Sequence, residues 1–360
     1  MNDEKYMQMA MRLALKAKGM TYPNPMVGAL VVKEDRIIGR GYHEKAGLPH
    51  AEISALNEAG GNAAGATLYV TLEPCAHYGR TPPCVDRIIE SGIKEVVAGM
   101  QDPNPLNNGK GIEMLRAKGI NVRCGVLEDE LRKMNEVFIK YITTKLPFVA
   151  VKVGQSLDGR IATSDGDSHW VTSAEARGYA RRLRGDFEAV MVGVNTVLRD
   201  DPRLEAEGTQ LRPYKVIVDS QLSTPCTAKI FSPGAKVVLA TLPELAGQET
   251  ENRQILDAKA RILDIGEKNG QINLRALLKK LAAAGITSVF AEGGGTLIGS
   301  LFDERLVDKV FFFISPKIIG GKDALGSVMG RGVKKVDKAV RLKNVELKRI
   351  GEDFLVEGYV

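Results

Sequence analysis

Residues 67–92 read TLYVTLEPCAHYGRTPPCVDRIIESG, and this stretch decides the fold of the first half of the chain. TLYVTLEP has the β-branched and apolar content of a buried strand and stops at Pro74, which cannot donate to a sheet ladder. PPCVDRIIESG then predicts a short helix, opened by proline and stopped by glycine. Upstream, PHAEISALNEAG places Ile53, Ala55, Leu56 and Ala59 on one helical stripe that ends at Gly60–Gly61. Val27–Val32, a turn at Lys33–Asp35 and Ile37–Gly41 predict a hairpin, and residues 4–18 a helix. Downstream, KEVVAGM is a strand, GIEMLRAKG a helix, NVRCGV a strand and Asp129–Tyr141 a helix. Such alternation calls for helices on both faces of a largely parallel sheet.

The last of these helices runs out into TTKLP, and proline disfavours helix in the residue before it. A domain boundary therefore falls near Lys145–Pro147, giving domains 1–146 and 147–360. The second is also α/β. Its strands are FVAVKVG, AVMVGV, YKVIVD, KVVLAT, SVFAEG and KVFFFIS, with helices at Ala174–Arg184, Leu274–Ala284 and Thr296–Asp303. VELKRIGEDFLVEGYV closes the chain as a hairpin around Gly351–Asp353.

Composition narrows the function classes. A chain of 360 residues with 44% hydrophobic and 26% charged residues suits two globular domains with real cores. No run of 18 apolar residues exists, and the N-terminus has neither the apolar run nor the small-residue cleavage site of a signal peptide. A cytoplasmic protein without membrane contact is expected. Four cysteines are too few for a disulfide scaffold, which fits a reducing compartment. Cys124 and Cys226 read as small buried thiols. The net charge of +6 favours an anionic ligand. The cations are scattered and aromatics make up only 6%, so nucleic acid is not indicated.

The chemistry concentrates around the opening stretch. His50 opens one helix, Cys75 follows a strand and Cys84 opens the next helix, where free backbone N–H groups and the dipole favour thiolates. Three ligands are the usual protein share of a catalytic zinc site, and four of a structural one. Glu52, two residues after His50, can reach a metal-activated water without being a ligand, and can carry its proton to a ring nitrogen and a leaving amine. H-x-E…P-C-x-x-C is the zinc deaminase signature, although here eight residues separate Cys75 from Cys84. A structural clip is the alternative, with His77, His43 or Cys124 as the fourth ligand. A free-nucleoside or nucleic-acid deaminase with an accessory binding domain is another. The insert AHYGRTPP runs beside the metal and carries Arg80.

In the second half, SVFAEGGGTLIGSL reads as strand, glycine turn and helix. A phosphate can approach the backbone at Gly293–Gly295 beside a helix N-terminus, although no GxGxxG fingerprint is present. Glu292 stands at the strand end, where α/β folds place site residues. Lys152 precedes a polar turn, the single tryptophan, Trp170, follows soon after, and VNTVLRDDPRL reads as a helix end or loop.

PNPMVGALVV, GYHEKAG, PHAE, TLEPCAHYGRTPPC and QDPNP, then KVGQSLDGRIA, HWVTS, VGVNTVLRDDPRL, VDSQ, AEGGGTLIGSL and PKIIGG, run in order along the chain. Over essentially its full length the chain resembles the bifunctional riboflavin-biosynthesis family, a pyrimidine deaminase followed by a uracil reductase, including the eight-residue cysteine spacing. The resemblance implies a cytidine-deaminase-like three-layer α/β/α domain and a dihydrofolate-reductase-like α/β domain. It implies one Zn²⁺ per chain, NADPH, a phosphorylated pyrimidine substrate and a homo-oligomer. Deamination of 2,5-diamino-6-(5-phosphoribosylamino)pyrimidin-4-one would precede reduction of the ribosyl group to ribityl. By position, His50, Cys75 and Cys84 would hold zinc beside the catalytic Glu52. Asn24 and His43 would contact the pyrimidine, and Arg80, Asp102 and Asn104 the ribose-phosphate region. Gly154, Trp170, Thr196, Asp200 and the turn of Gly294, Gly295, Thr296, Leu297, Ile298, Gly299 and Ser300 would meet NADPH. Lys152, Ser168, Arg184, Leu204 and Glu292 would face the reductase substrate. Relatives often carry a basic residue shortly after DDPRL, where this chain has Glu205 and Glu207, so either Arg203 or Arg212 substitutes or the substrate phosphate is recognised differently here.

Overall fold

The computed structural model describes residues 3–78, 82–209, 211–243 and 251–360, with residues 251–253 described by their backbone alone. The chain forms two compact units, Met1–Lys145 and Leu146–Val360. No helix among the described residues is long and apolar enough to cross a membrane.

In the first unit, β1 (Gly28–Lys33), β2 (Arg36–Tyr42), β3 (Thr67–Val70), β4 (Glu95–Ala98) and β5 (Asn121–Cys124) make one sheet in the order β2-β1-β3-β4-β5. The hairpin turns through Glu34 and Asp35, both with positive φ. β1 runs antiparallel to β2 and β3, while β3, β4 and β5 are parallel. α1 (Asp3–Ala14) and α2 (Ala51–Ala59) lie on opposite faces, as the glycines reveal. A Cβ on Gly28 would meet the Ala10 carbonyl of α1 at 2.0 Å, and one on Gly41 the Ala51 carbonyl of α2 at 2.2 Å. Gly41 pairs with Ala29, the neighbour of Gly28, and neighbours in a strand point to opposite faces. Missing side chains thus let both helices, including the one that begins at His50, close onto the sheet. α3 (Cys84–Glu90) and α4 (Lys110–Ala117) complete the alternation.

The expected helix Asp129–Tyr141 is two helices, α5 (Glu128–Met134) and α6 (Glu136–Thr144). The break is Asn135, whose buried amide accepts from Met26 N at 2.9 Å and donates to Met26 O at 3.1 Å. A side chain that completes a distant loop's hydrogen bonds overrides local helical periodicity.

The second unit holds β6 (Phe148–Ser156), β7 (Arg160–Ala162), α7 (Ala174–Leu183), β8 (Ala189–Gly193), α8 (Val194–Asp200), β9 (Tyr214–Val218), β10 (Val237–Thr241), α9 (Glu251–Lys259), β11 (Arg261–Asp264), β12 (Glu267–Lys268), β13 (Gln271–Ile272), α10 (Leu274–Ala283), β14 (Ser288–Ala291), α11 (Gly295–Asp303), β15 (Lys309–Ser315), β16 (Leu325–Gly326), β17 (Lys343–Ile350) and β18 (Asp353–Tyr359). Its nine-stranded sheet has the order β11-β10-β9-β8-β14-β6-β15-β18-β17. The strands from β11 through β15 are parallel, and the closing hairpin adds β18 and β17 antiparallel. VNTVLRD, read from sequence as a helix end or loop, is the helix α8. Its Val194, Thr196 and Val197 have strand propensity, but the strand ends at Gly193 and Val197 turns into a second core. Cys226 is half-buried, but Cys124 is exposed at the end of the edge strand β5, so the buried-thiol expectation fails there.

Candidate active sites

His50 caps α2 in extended conformation and Cys84 is the first residue of α3. Cys75 sits in the loop after β3. His50 Nδ1 lies 3.1 Å from Cys84 Sγ and 3.6 Å from Cys75 Sγ, and the backbone N–H of Cys84 donates to Cys75 Sγ at 3.2 Å. The three ligand atoms lie within 4.8 Å of one another. One imidazole nitrogen and two thiols in that space fit a tetrahedral zinc ion with one position left over. None of the other groups nominated as a fourth ligand joins the cluster among the described residues. The hydrogen bond from Cys84 brings Cys75 down to about 4, and the same contact, with burial, pushes Cys84 up.

Glu52, in the first turn of α2, is 4% exposed. Burial first, then the neighbouring Cys75 thiolate, push its carboxyl up to about 7, against the pull of His50. Its proton affinity therefore sits where a group must both take and give a proton at neutral pH.

These residues open onto a cavity of about 370 Å³ that Asn24, His43, His77, Asp102 and Asn104 also line. His43 Nδ1 lies 3.2 Å from the Pro49 carbonyl, which only accepts, so Nδ1 carries the proton. Nε2 then accepts from Asn24 Nδ2 at 3.1 Å. Burial lowers the His43 pKa and keeps this ring neutral. Asp102 is buried, which pushes its carboxyl up to about 6, while the Asn104 backbone N–H donates to it at 2.9 Å. His77 Nδ1 is buried, with no hydrogen-bond partner among the described residues. Arg80 lies outside the described residues.

Two further side chains went unread in the sequence. Glu73 is 3% exposed and accepts from the backbone N–H groups of Asp102, Gly109, Gly111 and Ile112 at 2.9–3.2 Å. Asn107 is fully buried, accepts from Ala76 N at 2.8 Å and donates to Pro74 O at 3.3 Å. Their partners lie some thirty residues away, and no local pattern announces them.

In the second unit, Glu292 follows β14 and is gripped by Arg184 through Nε to Oε1 at 2.5 Å and Nη2 to Oε2 at 3.0 Å. Lys152 Nζ stands 3.9 Å from the same carboxylate. Burial pushes Glu292 up, but the Arg184 charge and hydrogen bonds pull it below the usual carboxylate range, and burial lowers Lys152. Gly293 has φ 115°, and a Cβ there would meet Thr196 Oγ1 at 2.7 Å, so glycine is required at this turn. Gly294, Thr196, Thr296, Leu297 and Ser300 line a cavity of about 220 Å³. Ser220 and Gln271 join them; Gln271 lies on β13, a two-residue strand too short to show a period.

The remaining glycine-turn residues face elsewhere. Ile298 is in the core, and Cβ atoms on Gly295 and Gly299 would strike the carbonyls of Gly326 and Met329. These glycines seat the 326–330 segment on α11. Leu204 is also a core residue. Trp170 is no core filler. It is 65% exposed, with the Arg177 guanidinium carbon 3.9 Å from its ring centre. Ser168 Oγ lies 3.5 Å from Asp200 Oδ1, and a Cβ on Gly154 would stand 3.6 Å from Lys152 Nζ. Glu207 is paired with Arg181.

The family model "Cytidine and deoxycytidylate deaminase zinc-binding region" matches residues 1–100, and "RibD C-terminal domain" matches residues 147–356. The chain is 44% identical to "Riboflavin biosynthesis protein RibD" of Aquifex aeolicus, over 98% of this chain and 97% of that one. It is 39% identical to the protein of the same name from Escherichia coli, over 98% of each. Among solved structures, the diaminohydroxyphosphoribosylaminopyrimidine deaminase/5-amino-6-(5-phosphoribosylamino)uracil reductase of Thermotoga maritima superposes with a TM-score of 0.85. It is 39% identical, over 99% of this chain and 98% of that one. RibD of Acinetobacter baumannii gives 0.86 at 35% identity, with the same coverage.

Proposed function

The chain belongs to the RibD family, bifunctional riboflavin-biosynthesis enzymes with a zinc-dependent deaminase unit and an NADPH-dependent reductase unit, and from that premise we propose which of its residues carry each reaction. The observation that supports the deaminase assignment is the His50, Cys75 and Cys84 cluster with the buried, non-ligating Glu52 beside it. The substrate we assign is 2,5-diamino-6-(5-phosphoribosylamino)pyrimidin-4-one. Zinc, when held by these three residues, supplies the Lewis acidity that makes a water nucleophilic near neutral pH.

Glu52 would take one proton from that water and give it to the ring nitrogen, then take the second from the hydroxyl left on the ring carbon and give it to the amine, which departs as ammonia while the carbonyl forms. The tautomer fixed on His43 turns the Asn24 amide toward the cavity, and these two orient the pyrimidine. Asp102 and Asn104 line the ribose-phosphate side of the same cavity, with Arg80 assigned there by position.

In the reductase unit, NADPH supplies the hydride. The cavity of Gly294, Thr296, Leu297 and Ser300 at the N-terminus of α11 suits a phosphate-bearing cofactor, and Trp170, exposed and stacked by Arg177, is assigned to the same cofactor by position. Glu292, immobilised by Arg184, holds Lys152 toward the opened ribose. Lys152, its pKa lowered by burial, gives the proton that a carbonyl needs when it accepts a hydride. With Glu207 taken up by Arg181, we assign the substrate phosphate to Arg203 or Arg212. This reading includes a homo-oligomer working in the cytoplasm on small molecules.

One incubation tests it. Purified protein given the diaminopyrimidine phosphate and NADPH should release ammonia and oxidise NADPH, and failure of either in zinc-loaded protein contradicts the bifunctional assignment.

A further inference from the structure

We propose that Asn107 is a positioning residue for the metal centre, fixing the backbone of the ligand Cys75 and tying it to Asp102. The proposal rests on the zinc deaminase reading. The Pro74 carbonyl belongs to the peptide that precedes Cys75, and the Ala76 N–H to the peptide that follows it. Asn107 binds both, donating from Nδ2 to the first and accepting at Oδ1 from the second. One carboxamide therefore pins the two peptide planes on either side of Cys75, which leaves its φ and ψ little freedom.

The Asn107 side chain also stands near enough to the Asp102 carboxyl to pull its pKa down, against the push of burial. Asp102 is tied in turn to the Cys75 loop, because its own N–H donates to Glu73, two residues before Cys75, at 3.0 Å. The ligand loop and the loop that lines the substrate cavity thus brace each other with buried side chains. Removing partners that orient a ligand from behind typically costs roughly ten- to a hundredfold in metal affinity or activity.

The test uses the full-length zinc-loaded protein and its Asn107→Leu variant, which keeps the branched skeleton and loses both hydrogen bonds. Zinc transfer to a chromogenic chelator is followed alongside ammonia release and the reduction of already deaminated substrate. The variant should hold zinc roughly ten- to a hundredfold more weakly, with a lower kcat for ammonia release and unchanged reduction. A purely structural role would lower the thermal midpoint yet leave zinc transfer and kcat within about twofold of wild type, and that result overturns the proposal.

If the leucine variant does not fold, Asn107→Asp decides. It keeps the acceptor for Ala76 and loses the donor to Pro74, so zinc transfer should again be faster, and an unchanged rate overturns the proposal. A wild-type protein that binds no zinc sinks the deaminase reading and this proposal with it. A wild type that holds zinc beside a variant equally retentive sinks the proposal alone.

Discussion

Glu52→Gln is expected to slow ammonia release by roughly 10²- to 10⁴-fold while zinc content and NADPH-dependent reduction of deaminated substrate stay at wild-type levels. Glutamine keeps the size of the side chain but cannot take a proton from water or hand one to the ring. Zinc stays because the ligand cluster consists of His50, Cys75 and Cys84 without Glu52. Stability should not fall above pH 7. The native carboxyl is raised to about 7 by burial, so its ionised form is disfavoured in the fold at higher pH, and a neutral amide removes that cost. Rapid ammonia assays, zinc analysis, NADPH oxidation with deaminated substrate and thermal melts on one preparation check these four expectations. A variant that keeps a tenth or more of wild-type deamination would remove Glu52 from its role.

The second large effect is expected in the reductase unit. Glu292→Gln leaves Arg184 and Lys152 facing one another without their shared counter-charge, in a place where the Arg184 and Glu292 side chains are only 15% and 7% exposed. Breaking one side of a buried pair costs about 3–5 kcal/mol, measurable as a lower denaturant midpoint for that unit. A loss of about 3 kcal/mol at the transition state would also slow reduction roughly a hundredfold. The effect depends on pH. Glu292 is held below its ordinary value of 4.5, so its contribution is present above that value and lost as pH falls through the lower folded one. The stability gap between wild type and Glu292→Gln should be widest at neutral pH and shrink below pH 4.5. A gap of the same size at every pH would mean that the carboxylate charge is not what holds Arg184.

The candidate zinc ligands His50 and Cys84 were legible in sequence because each stands at a helix start that local signals mark; Cys75 was legible beside Pro74, although the strand expected to run to that proline ends earlier, at Val70. Glu52 was legible because it follows His50 by two positions at the start of one helix. Glu73 and Asn107 were not, since each acts on backbone groups of a loop distant in sequence. Asn135 escaped for the same reason, and its break in the α5–α6 helix is invisible to a 3.6-residue period. In the second unit, α8 was hidden by β-branched residues. The glycine turn proved to be two devices in one. Gly293 and Gly294 shape the approach to the cavity, whereas Gly295 and Gly299 admit a neighbouring segment of backbone. Trp170 could be read either as filler or as a ligand surface, and only its exposure and the Arg177 stack separate the two.

The most direct test of the central claim, a zinc deaminase built on His50, Cys75, Cys84 and Glu52 beside an independent reductase, is metal removal and return. Protein stripped with a chelator should release no ammonia from the diaminopyrimidine phosphate yet still oxidise NADPH with the deaminated compound, and one equivalent of zinc per chain should restore ammonia release. Ammonia release that survives complete removal of zinc would contradict the account.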